Sequence, residues 1–242
     1  MKFIALVSGG KDSVYTIQVL KEQGHTPVGL LYMKNTSSYV DSYMYQTVGS
    51  EVVELFGKCM DLPLFLYETK CETVNTELEY KINETDEVED LYEAIKDVQT
   101  KLDFDAISSG AILSMYQKNR ILNVAQRLNI SSLTPLWGRN QRELLIEMVE
   151  NEIKAEIVKI ASSFFDKTWI GTDISKILET NICLYENFCG EGGEYETVVL
   201  DCKLFKYKIK YNKKEIFCHP DENIDNATVF FSKYINLSLV KK

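Results

Sequence analysis

Histidine is scarce in this chain, which has two among its 242 residues. They are His25 and His219, and neither falls in a recognisable motif. General acid–base catalysis and nucleophilic triads most often depend on a placed imidazole. The sequence therefore argues against both of these classes of active site.

Metal-binding cysteine patterns are also missing. None of the six cysteines forms a C-x-x-C pair with another, which argues against a structural zinc site and an iron–sulfur cluster. We expect free thiols, as in the reducing cytosol. The six are Cys59, Cys71, Cys183, Cys189, Cys202 and Cys218.

Long hydrophobic runs are absent too. The apolar run at the N-terminus, residues 3–7, lacks the basic flank, the longer apolar core and the cleavage site of a signal peptide. No segment approaches the length of a membrane span. We therefore expect a cytoplasmic protein without a membrane partner.

Basic charge is in deficit, with 27 basic and 36 acidic side chains and a formal net charge of -9. The overall field repels polyanions, so no nucleic-acid partner is expected, although a local basic patch stays compatible with this charge. The sequence leaves the oligomeric state open, and an oligomer is compatible with it.

The remaining composition is that of a folded globular protein, with 45% hydrophobic and 26% charged residues. Strand-like runs at 3–7, 28–33, 63–67 and 105–108 alternate with helix-like stretches up to about residue 128. Such alternation predicts a doubly wound α/β domain with a parallel sheet. We predict a domain boundary near residue 130, with this α/β domain at 1–130 and a smaller α+β domain at 131–242.

Local patterns add detail to this prediction. One apolar helical stripe, assigned to the core, comprises Val88, Leu91, Tyr92, Ile95, Val98 and Leu102. The first helix is expected to be capped by Asp12 or Ser13 and to end at Gly24. Further predictions are a helix carrying Leu144, Leu145, Met148 and Val149, a strand at 155–161, a helix at 174–186, and a half-exposed strand and turn at the lysine-rich segment 206–214.

A glycine turn joins the first predicted strand to the first predicted helix. Its sequence is Ser8-Gly9-Gly10-Lys11-Asp12-Ser13. Two glycines allow close approach of an anion, the helix N-terminus supplies free N–H groups, and Lys11 adds a mobile cation. A Walker A loop is excluded by the spacing. The alternative is a plain turn with a solvated lysine.

This glycine loop resembles, in every position, the signature of the PP-loop ATP pyrophosphatases. Members of that group cleave ATP between its α and β phosphates, so the resemblance implies their adenine nucleotide α hydrolase-like fold. Other loops at the carboxyl ends of strands are expected at the same site. They are the polar segment after Met33 and the segment Ser109-Gly110-Ala111.

A second dense motif lies near the C-terminus, where residues 189–197 hold three glutamates and three glycines. Enclosed without a cationic partner, this negative charge would be costly. The segment therefore requires solvent, a cation or a cationic ligand. An exposed turn before the strand at 198–200 is an equally good interpretation of the residues alone.

Several motifs in order resemble the diphthine–ammonia ligase family over residues 1–205. They are Asp41-Ser42-Tyr43-Met44-Tyr45-Gln46-Thr47, Ser109-Gly110-Ala111-Ile112, Tyr116-Gln117-Lys118-Asn119-Arg120, Pro135-Leu136-Trp137-Gly138-Arg139 and Gly190-Glu191-Gly192-Gly193-Glu194-Tyr195-Glu196-Thr197. The chain departs from the expected pattern at Asn140, where many relatives have aspartate. That departure weakens any role for a carboxylate there.

The resemblance implies the last step of diphthamide synthesis on translation elongation factor 2. ATP would activate the carboxylate of diphthine as an acyl-adenylate, and ammonia would displace AMP after release of pyrophosphate. The implied partners are therefore the diphthine form of the elongation factor and ammonia, and the implied cofactors are ATP and Mg²⁺.

Residue roles follow from the motif order as hypotheses. The domain at 1–130 is the predicted PP-loop ATP-binding domain, and that at 131–242 is the predicted acceptor-substrate domain. ATP binding is assigned to Ser8, Gly9, Gly10, Lys11, Asp12, Ser13, Ser109, Gly110 and Ala111, with Gly110 leaving adenosine room beside the backbone. Catalytic roles are assigned to Lys11, Asp12, Glu191 and Glu194, and Asp12 is the predicted Mg²⁺ ligand. Binding of diphthine is assigned to Asp41, Ser42, Tyr43, Trp137, Gly138, Arg139, Glu191, Gly192, Gly193, Glu194, Tyr195 and Glu196, with the Tyr195 ring offered to the quaternary ammonium.

Two other functions remain compatible with the sequence. One is a PP-loop enzyme that modifies transfer RNA, such as a thiolase or a lysidine synthetase-like enzyme. Against it stand the acidic net charge and the distance of the nearest cysteine, Cys59, from the glycine loop. The other is a nucleotide sensor without catalysis, against which the intact Lys11 and Asp12 argue.

Overall fold

The computed structural model describes residues 1–36, 42, 44–70, 73–180, 187–220, 222 and 227–242. Its first part alternates strands with helices. In chain order the elements are β1 (Lys2–Leu6), α1 (Lys11–Glu22), β2 (Thr26–Asn35), α2 (Ser50–Val53), α3 (Phe56–Met60), β3 (Leu64–Thr69), α4 (Glu87–Gln99), β4 (Ala106–Ser108), α5 (Met115–Arg127) and β5 (Ser131–Leu133).

The first five strands form one parallel sheet in the order β3-β2-β1-β4-β5. From β1 the chain winds outward through β2 and β3, and it then returns to place β4 and β5 on the other side of β1. This confirms the predicted doubly wound sheet. It also places the reversal of strand order, where such sheets bind ligands, between β1 and β4.

The second part is mainly antiparallel. Its elements are α6 (Gln141–Glu150), β6 (Lys154–Ala161), a 3₁₀ turn (Lys167–Trp169), α7 (Ser175–Glu179), β7 (Tyr195–Asp201), β8 (Tyr207–Lys210), β9 (Lys213–Cys218), β10 (Val229–Ile235) and β11 (Ser238–Lys241). One sheet has the order β7-β6-β10-β9, and β11 pairs with β8. The predicted α+β character of this part is confirmed.

Both faces of the parallel sheet are covered by apolar side chains. On one face, Ile4, Leu31 and Ile107 pack with the predicted stripe of α4 and with α5. On the other face, the core joins Val14 of α1 to side chains of the second part, including those of α6 and β7. The two parts therefore share a hydrophobic core. The division near residue 130 stays a prediction, and β5 lies just past it while belonging to the first sheet.

Several local predictions need correction. Gly10, rather than Asp12 or Ser13, occupies the N-cap of α1, because the helix begins at Lys11 and no side chain caps it. Gly24 does follow the end of this helix, with φ of +85°. The predicted helix at 174–186 ends at Glu179, because Thr180 is extended, and 181–186 lie outside the described residues.

The lysine-rich segment is confirmed as a half-exposed strand followed by a turn, formed by β8 and the start of β9. Within the described ranges, every helix is too short or too polar to cross a lipid bilayer.

Candidate active site

The carboxyl ends of β1, β2 and β4 open onto a cavity of about 270 Å³. It lies at the reversal of strand order, and the second part of the chain closes its far side. Three segments distant in sequence meet here: the glycine loop (residues 8–13), the segment after β4 (residues 109–111) and the acidic turn (residues 189–197). The predicted site residues in its wall are Ser8, Gly10, Lys11, Asp12, Ser13, Ser42, Ser109, Gly110, Ala111, Glu191, Tyr195 and Glu196.

The glycine loop is shaped by steric limits at its first glycine. Gly9 has φ of +94°, and a Cβ there would lie 2.6 Å from Val53 Cγ2. An L side chain is disfavoured at such a φ. Gly9 is therefore required to turn the chain from β1 into α1, although its own atoms are not part of the cavity wall.

Hydrogen bonds hold the loop against the second part of the chain. The Lys11 N–H donates to Thr197 Oγ1 at 3.1 Å, and the Val199 N–H donates to the Gly9 carbonyl at 2.9 Å. Within the loop, the Gly10 N–H donates to Ser8 Oγ at 3.2 Å, and the Ser13 hydroxyl donates to the Gly10 carbonyl at 2.9 Å. Strand β7 therefore braces the loop from outside the parallel sheet.

Lys11 is a fixed cation, which corrects the expectation of a mobile one and excludes the alternative of a solvated lysine. Its side chain is 2% exposed. Lys11 Nζ donates to Asp12 Oδ2 at 2.9 Å and to the Cys189 carbonyl at 2.5 Å. Burial acts to lower the pKa of Lys11, but the opposing causes, of which the Asp12 carboxylate is the largest, raise the pKa above its usual range. Lys11 thus stays charged and links the glycine loop to the acidic turn.

Asp12 fits a role as a cation ligand. Its Oδ1 is buried and has no hydrogen-bond partner among the described residues, while Oδ2 is paired with Lys11. Burial raises the pKa of Asp12, and the Lys11 ammonium opposes that rise. Mg²⁺ prefers oxygen ligands and needs one or two carboxylates besides water and phosphate. Among the described residues, no cluster of three or more His, Cys, Asp or Glu side chains could hold a metal ion by itself.

The segment after β4 packs directly on the first turn of α1. A Cβ on Gly110 would lie 2.7 Å from the backbone nitrogen of Ser13. This close backbone approach is one physical reason for the absence of a side chain at Gly110, and room for adenosine stays a prediction, since Gly110 also lines the cavity. Beside it, Ser109 Oγ is buried without a hydrogen-bond partner among the described residues and is available to a ligand.

The acidic turn points two of its glutamates into the cavity. Glu191 Oε2 accepts a hydrogen bond of 2.8 Å from the Leu113 N–H. Burial, followed by the charge of Asp12, raises the pKa of Glu191. Glu196 is paired with Lys159 at 3.2 Å. The turn is therefore a half-enclosed part of the site, and the alternative of a fully exposed turn is excluded.

Tyr195 is engaged within the protein. Its ring lies 4.9 Å from Lys11 Nζ, and its hydroxyl donates to the Phe188 carbonyl at 2.5 Å. The side chain is buried. The expectation that this ring receives the substrate's ammonium needs correction, because the protein's own Lys11 ammonium already lies over it.

The third glutamate of the turn lies outside the cavity wall. Glu194 Oε1 accepts a hydrogen bond from Asn187 Nδ2 at 2.8 Å, and Oε2 accepts one from the Gly192 N–H at 2.9 Å. Gly192 and Gly193 are exposed. The structure therefore does not bring these three predicted site residues to the cavity.

Trp137, Gly138 and Arg139 also lie outside the cavity wall. The Trp137 ring lies 4.0 Å from Lys118 Nζ, the Gly138 N–H donates to the Ile112 carbonyl, and Arg139 pairs with Glu147. Asn140, the departure noted in the sequence, is the N-cap of α6 and accepts a hydrogen bond from the Glu143 N–H. Asparagine and aspartate cap equally well, so the substitution leaves the helix start intact.

The loop after β2 is described in part. Ser42 Oγ donates to Glu87 Oε2 at 2.6 Å and accepts hydrogen bonds from the backbone of Met44 and Tyr45. Ser42 therefore shapes the rim of the cavity. The predictions for Asp41 and Tyr43 lie outside the described residues.

Sequence reasoning missed several residues of the cavity wall. Gln46 Nε2 donates to the Thr197 carbonyl at 3.1 Å and ties the loop after β2 to the acidic turn. Both residues lie in motifs quoted above but received no role. The carboxyl end of the predicted strand at 28–33 could have indicated the apolar part of the wall. Other unassigned lining residues include Leu31, Tyr32, Met33, Tyr45, Gln117, Ile121 and Cys189.

Family models match both parts of the chain. The model described as the diphthamide synthase N-terminal domain matches residues 1–132, and that of the diphthamide synthase C-terminal domain matches residues 140–228.

Known proteins show the same likeness. The diphthine–ammonia ligase of Bos taurus is 40% identical over 252 residues, which cover 100% of this chain and 94% of that protein. The values for the Homo sapiens ligase are the same. The Schizosaccharomyces pombe ligase is 41% identical over 93% of this chain, and this chain spans 38% of its length.

One solved structure, described as a predicted subunit of tRNA methyltransferase from Methanocaldococcus jannaschii, has a TM-score of 0.41 at 21% identity, covering 84% of this chain and 98% of that one. A likeness of that size carries no argument about function. The matches to the Bos taurus and Homo sapiens ligases cover the whole of this chain and indicate its function, and they agree with both family models. The chain therefore belongs to the diphthine–ammonia ligase family and is a ligase of diphthamide biosynthesis.

Proposed function

We propose that this chain converts diphthine on translation elongation factor 2 to diphthamide, with ATP cleaved to AMP and pyrophosphate and ammonia as the nitrogen donor. One observation carries the proposal. The glycine loop and the acidic turn, which lie about 180 residues apart in sequence, line the same cavity and are joined by Lys11. A nucleotide and a positively charged acceptor could therefore meet there.

The glycine loop is suited to the phosphates. The first turn of α1 faces the cavity, and helix N-termini favour anions. Lys11 would stabilise charge that builds as the bond between the α and β phosphates breaks. Ser109 Oγ and the apolar wall near Tyr32 and Met33 are available to the nucleoside. Asp12 would hold Mg²⁺ together with phosphate oxygens and water, and the ion would neutralise phosphate charge.

The acidic turn is suited to the acceptor. Diphthine carries a quaternary ammonium beside its carboxylate. Glu191 offers opposite charge on the side of the cavity facing the glycine loop, and Glu196 adds to it although its Oε1 is paired with Lys159. This would orient the carboxylate of diphthine toward the α phosphate to form the acyl-adenylate. Ammonia would then attack the acyl carbon, and AMP would leave with the bonding electrons of the acyl–oxygen bond.

Product analysis tests the proposal. Purified protein is incubated with ATP, Mg²⁺, ammonium and elongation factor 2 carrying diphthine. We expect AMP, pyrophosphate and diphthamide in equal amounts, with each depending on the modified factor. Formation of AMP that depends on transfer RNA would instead support a PP-loop enzyme of RNA modification, and nucleotide binding without any turnover would support a sensor.

A further inference from the structure

We propose that Gln141, Asn187 and Glu194 form a hydrogen-bonded chain that positions the Cys189 carbonyl against the Lys11 ammonium. The three are positioning residues, since they act on the cavity through the backbone of Cys189. The inference rests on the proposed function only for its activity measurements.

The chain runs from α6 to the acidic turn. Gln141 Oε1 accepts a hydrogen bond from the Cys189 N–H at 2.8 Å, and Gln141 Nε2 donates to Asn187 Oδ1 at 3.1 Å. Asn187 Nδ2 then donates to Glu194 Oε1 at 2.8 Å, and the Gly192 N–H donates to Glu194 Oε2 at 2.9 Å. Two backbone N–H groups of the turn thus close the chain at its ends.

Residue 189 is held on three sides. Besides its N–H, the Cys189 thiol donates to the Gln141 carbonyl at 3.3 Å, and burial raises the pKa of this thiol to about 12, so it stays protonated. The Cys189 carbonyl accepts from Lys11 Nζ at 2.5 Å. Gln141 is 4% exposed, Cys189 is 3% exposed and Lys11 is 2% exposed. Because a buried ammonium that loses an acceptor suffers a large desolvation cost, the position of Cys189 affects Lys11 directly.

Gly192 leaves room for the chain. A Cβ at this position would lie 2.5 Å from Glu194 Oε1 and 2.9 Å from Asn187 Nδ2, the two atoms of the third hydrogen bond. The absence of a side chain at Gly192 therefore has a physical reason that is independent of any substrate.

The chain requires one carboxylate and two amides. Its three side chains have six polar atoms, of which two must accept from the backbone N–H groups. The other four form two donor–acceptor pairs, so the chain needs two side-chain donors, and each amide supplies one. Three amides would leave two donors facing each other, and two carboxylates would leave two acceptors facing each other. A carboxylate moved to another position with two amides retained would satisfy every atom again.

This requirement gives the test. Gln141→Glu leaves one donor too few, and Glu194→Gln leaves one donor too many. Gln141→Glu is expected to lower kcat/KM for ATP about 10- to 100-fold, as for a buried polar group left unpaired. Glu194→Gln is expected to lower it less, because Glu194 and Asn187 are half-exposed and water can pair the surplus donor. The double variant Gln141→Glu with Glu194→Gln restores one carboxylate, and we expect it to recover to within about 3-fold of the wild type.

A second double variant leaves Gln141 unchanged, so that its recovery does not depend on how well glutamate fits at residue 141. Asn187→Asp with Glu194→Gln also keeps one carboxylate and two amides, and we expect the same recovery. Gln126→Glu and Glu93→Gln make the same charge changes at exposed positions and should leave kcat/KM unchanged. Thermal unfolding of every variant separates lost folding from lost positioning.

The split between the two substrates distinguishes positioning from direct contact. Because the chain acts through Lys11, the single variants should change kcat and KM for ATP, with KM for the elongation factor nearly unchanged. Failure of both double variants to recover, or a selective rise in KM for the elongation factor, would overturn the inference. If the wild type makes no AMP, the proposed function fails. The hydrogen-bonded chain is then tested by ATP affinity, which should fall in the single variants and recover in the double variants. Absence of that recovery would overturn the inference.

Discussion

The glycine loop and the acidic turn share a cavity, but they are built in different ways. The course of the loop is set by neighbours in sequence, which are a strand, a glycine at φ +94° and the start of α1, and β7 braces it through Thr197 and Val199. The turn takes its shape from residues far away in sequence, with Gln141, Lys11 and Leu113 all bonded to it. A local motif therefore predicts the loop well. Motif reasoning assigns all three glutamates of the turn to the same substrate site, because it contains no information on their distant partners.

Within the turn, two glutamates three residues apart have different surroundings. Glu191 lines the cavity and has a raised pKa, while Glu194 bonds to Asn187 and Gly192 outside the cavity wall. Dense charge in a motif is thus not evidence that each charge contacts substrate.

The largest expected effect comes from breaking the link between loop and turn. Lys11→Ala removes charge-assisted contacts worth ~1.5 to 3 kcal/mol, so ATP turnover should fall about 10- to 150-fold. Asp12 also loses the charge that opposes its raised pKa and should take up a proton more readily. Steady-state kinetics of AMP release measure the loss. Lys21→Ala, on the exposed side of the same helix, is the control. Unchanged turnover in Lys11→Ala would remove the loop from the ATP site.

The next largest effects are expected from two glycine substitutions, one beside the glycine loop and one in the acidic turn. Gly110→Ala places a Cβ 2.7 Å from the backbone of α1, so we expect a loss of ~1 to 3 kcal/mol in the free energy of unfolding and weaker ATP binding. Gly193→Ala, in the turn, has open space but φ of +81°, and should cost about 1 kcal/mol without affecting ATP. Denaturant unfolding and ATP titration check both. A Gly110→Ala variant as stable as the wild type, with unchanged ATP binding, would contradict the close packing at Gly110.

A pH profile tests the turn. The pKa of Glu191 is raised by burial and then by Asp12, so kcat/KM for the elongation factor should fall on acidification from a pH above the ordinary glutamate pKa of about 4.3. Glu191→Gln should lose this inflection and bind the factor about 10-fold more weakly. When a carboxyl has a higher pKa in the folded than in the unfolded state, the free energy of unfolding falls as the pH rises from the unfolded pKa through the folded one. Glu191→Gln removes this loss and should be slightly more stable at neutral pH. An unchanged inflection in the variant would assign it to another group.

The smallest effect is expected outside the cavity. Arg139 and Glu147 are paired but about one third exposed, at 33% and 36%, so Arg139→Ala should cost at most about 1 kcal/mol in stability. Its KM for the elongation factor should match the wild type in the same kinetic assay. A rise of 10-fold or more would return Arg139 to the acceptor site predicted from sequence.

The predicted fold agrees well with the structure because hydrophobic periodicity is a local property. An apolar run predicts the strand near 3–7, and helical spacing predicts the stripe of α4. The predicted strand at 155–161 agrees with β6. The short elements α2, α3 and β5 were missed, since three to five residues carry too little periodicity to detect. The cap of α1 was misplaced because a glycine without a side-chain bond leaves no capping signature.

The sequence by itself determined the parallel sheet and the glycine turn after β1, since these depend on residues close together in the chain, and it determined the family through several motifs in order along the chain. Tertiary structure alone decided that Lys11 is buried under the acidic turn, that Gly110 faces α1 and that Glu194 belongs to the chain from Gln141. Those contacts join segments between about 50 and 180 residues apart, and burial and hydrogen-bond satisfaction across such separations are properties of the packed molecule.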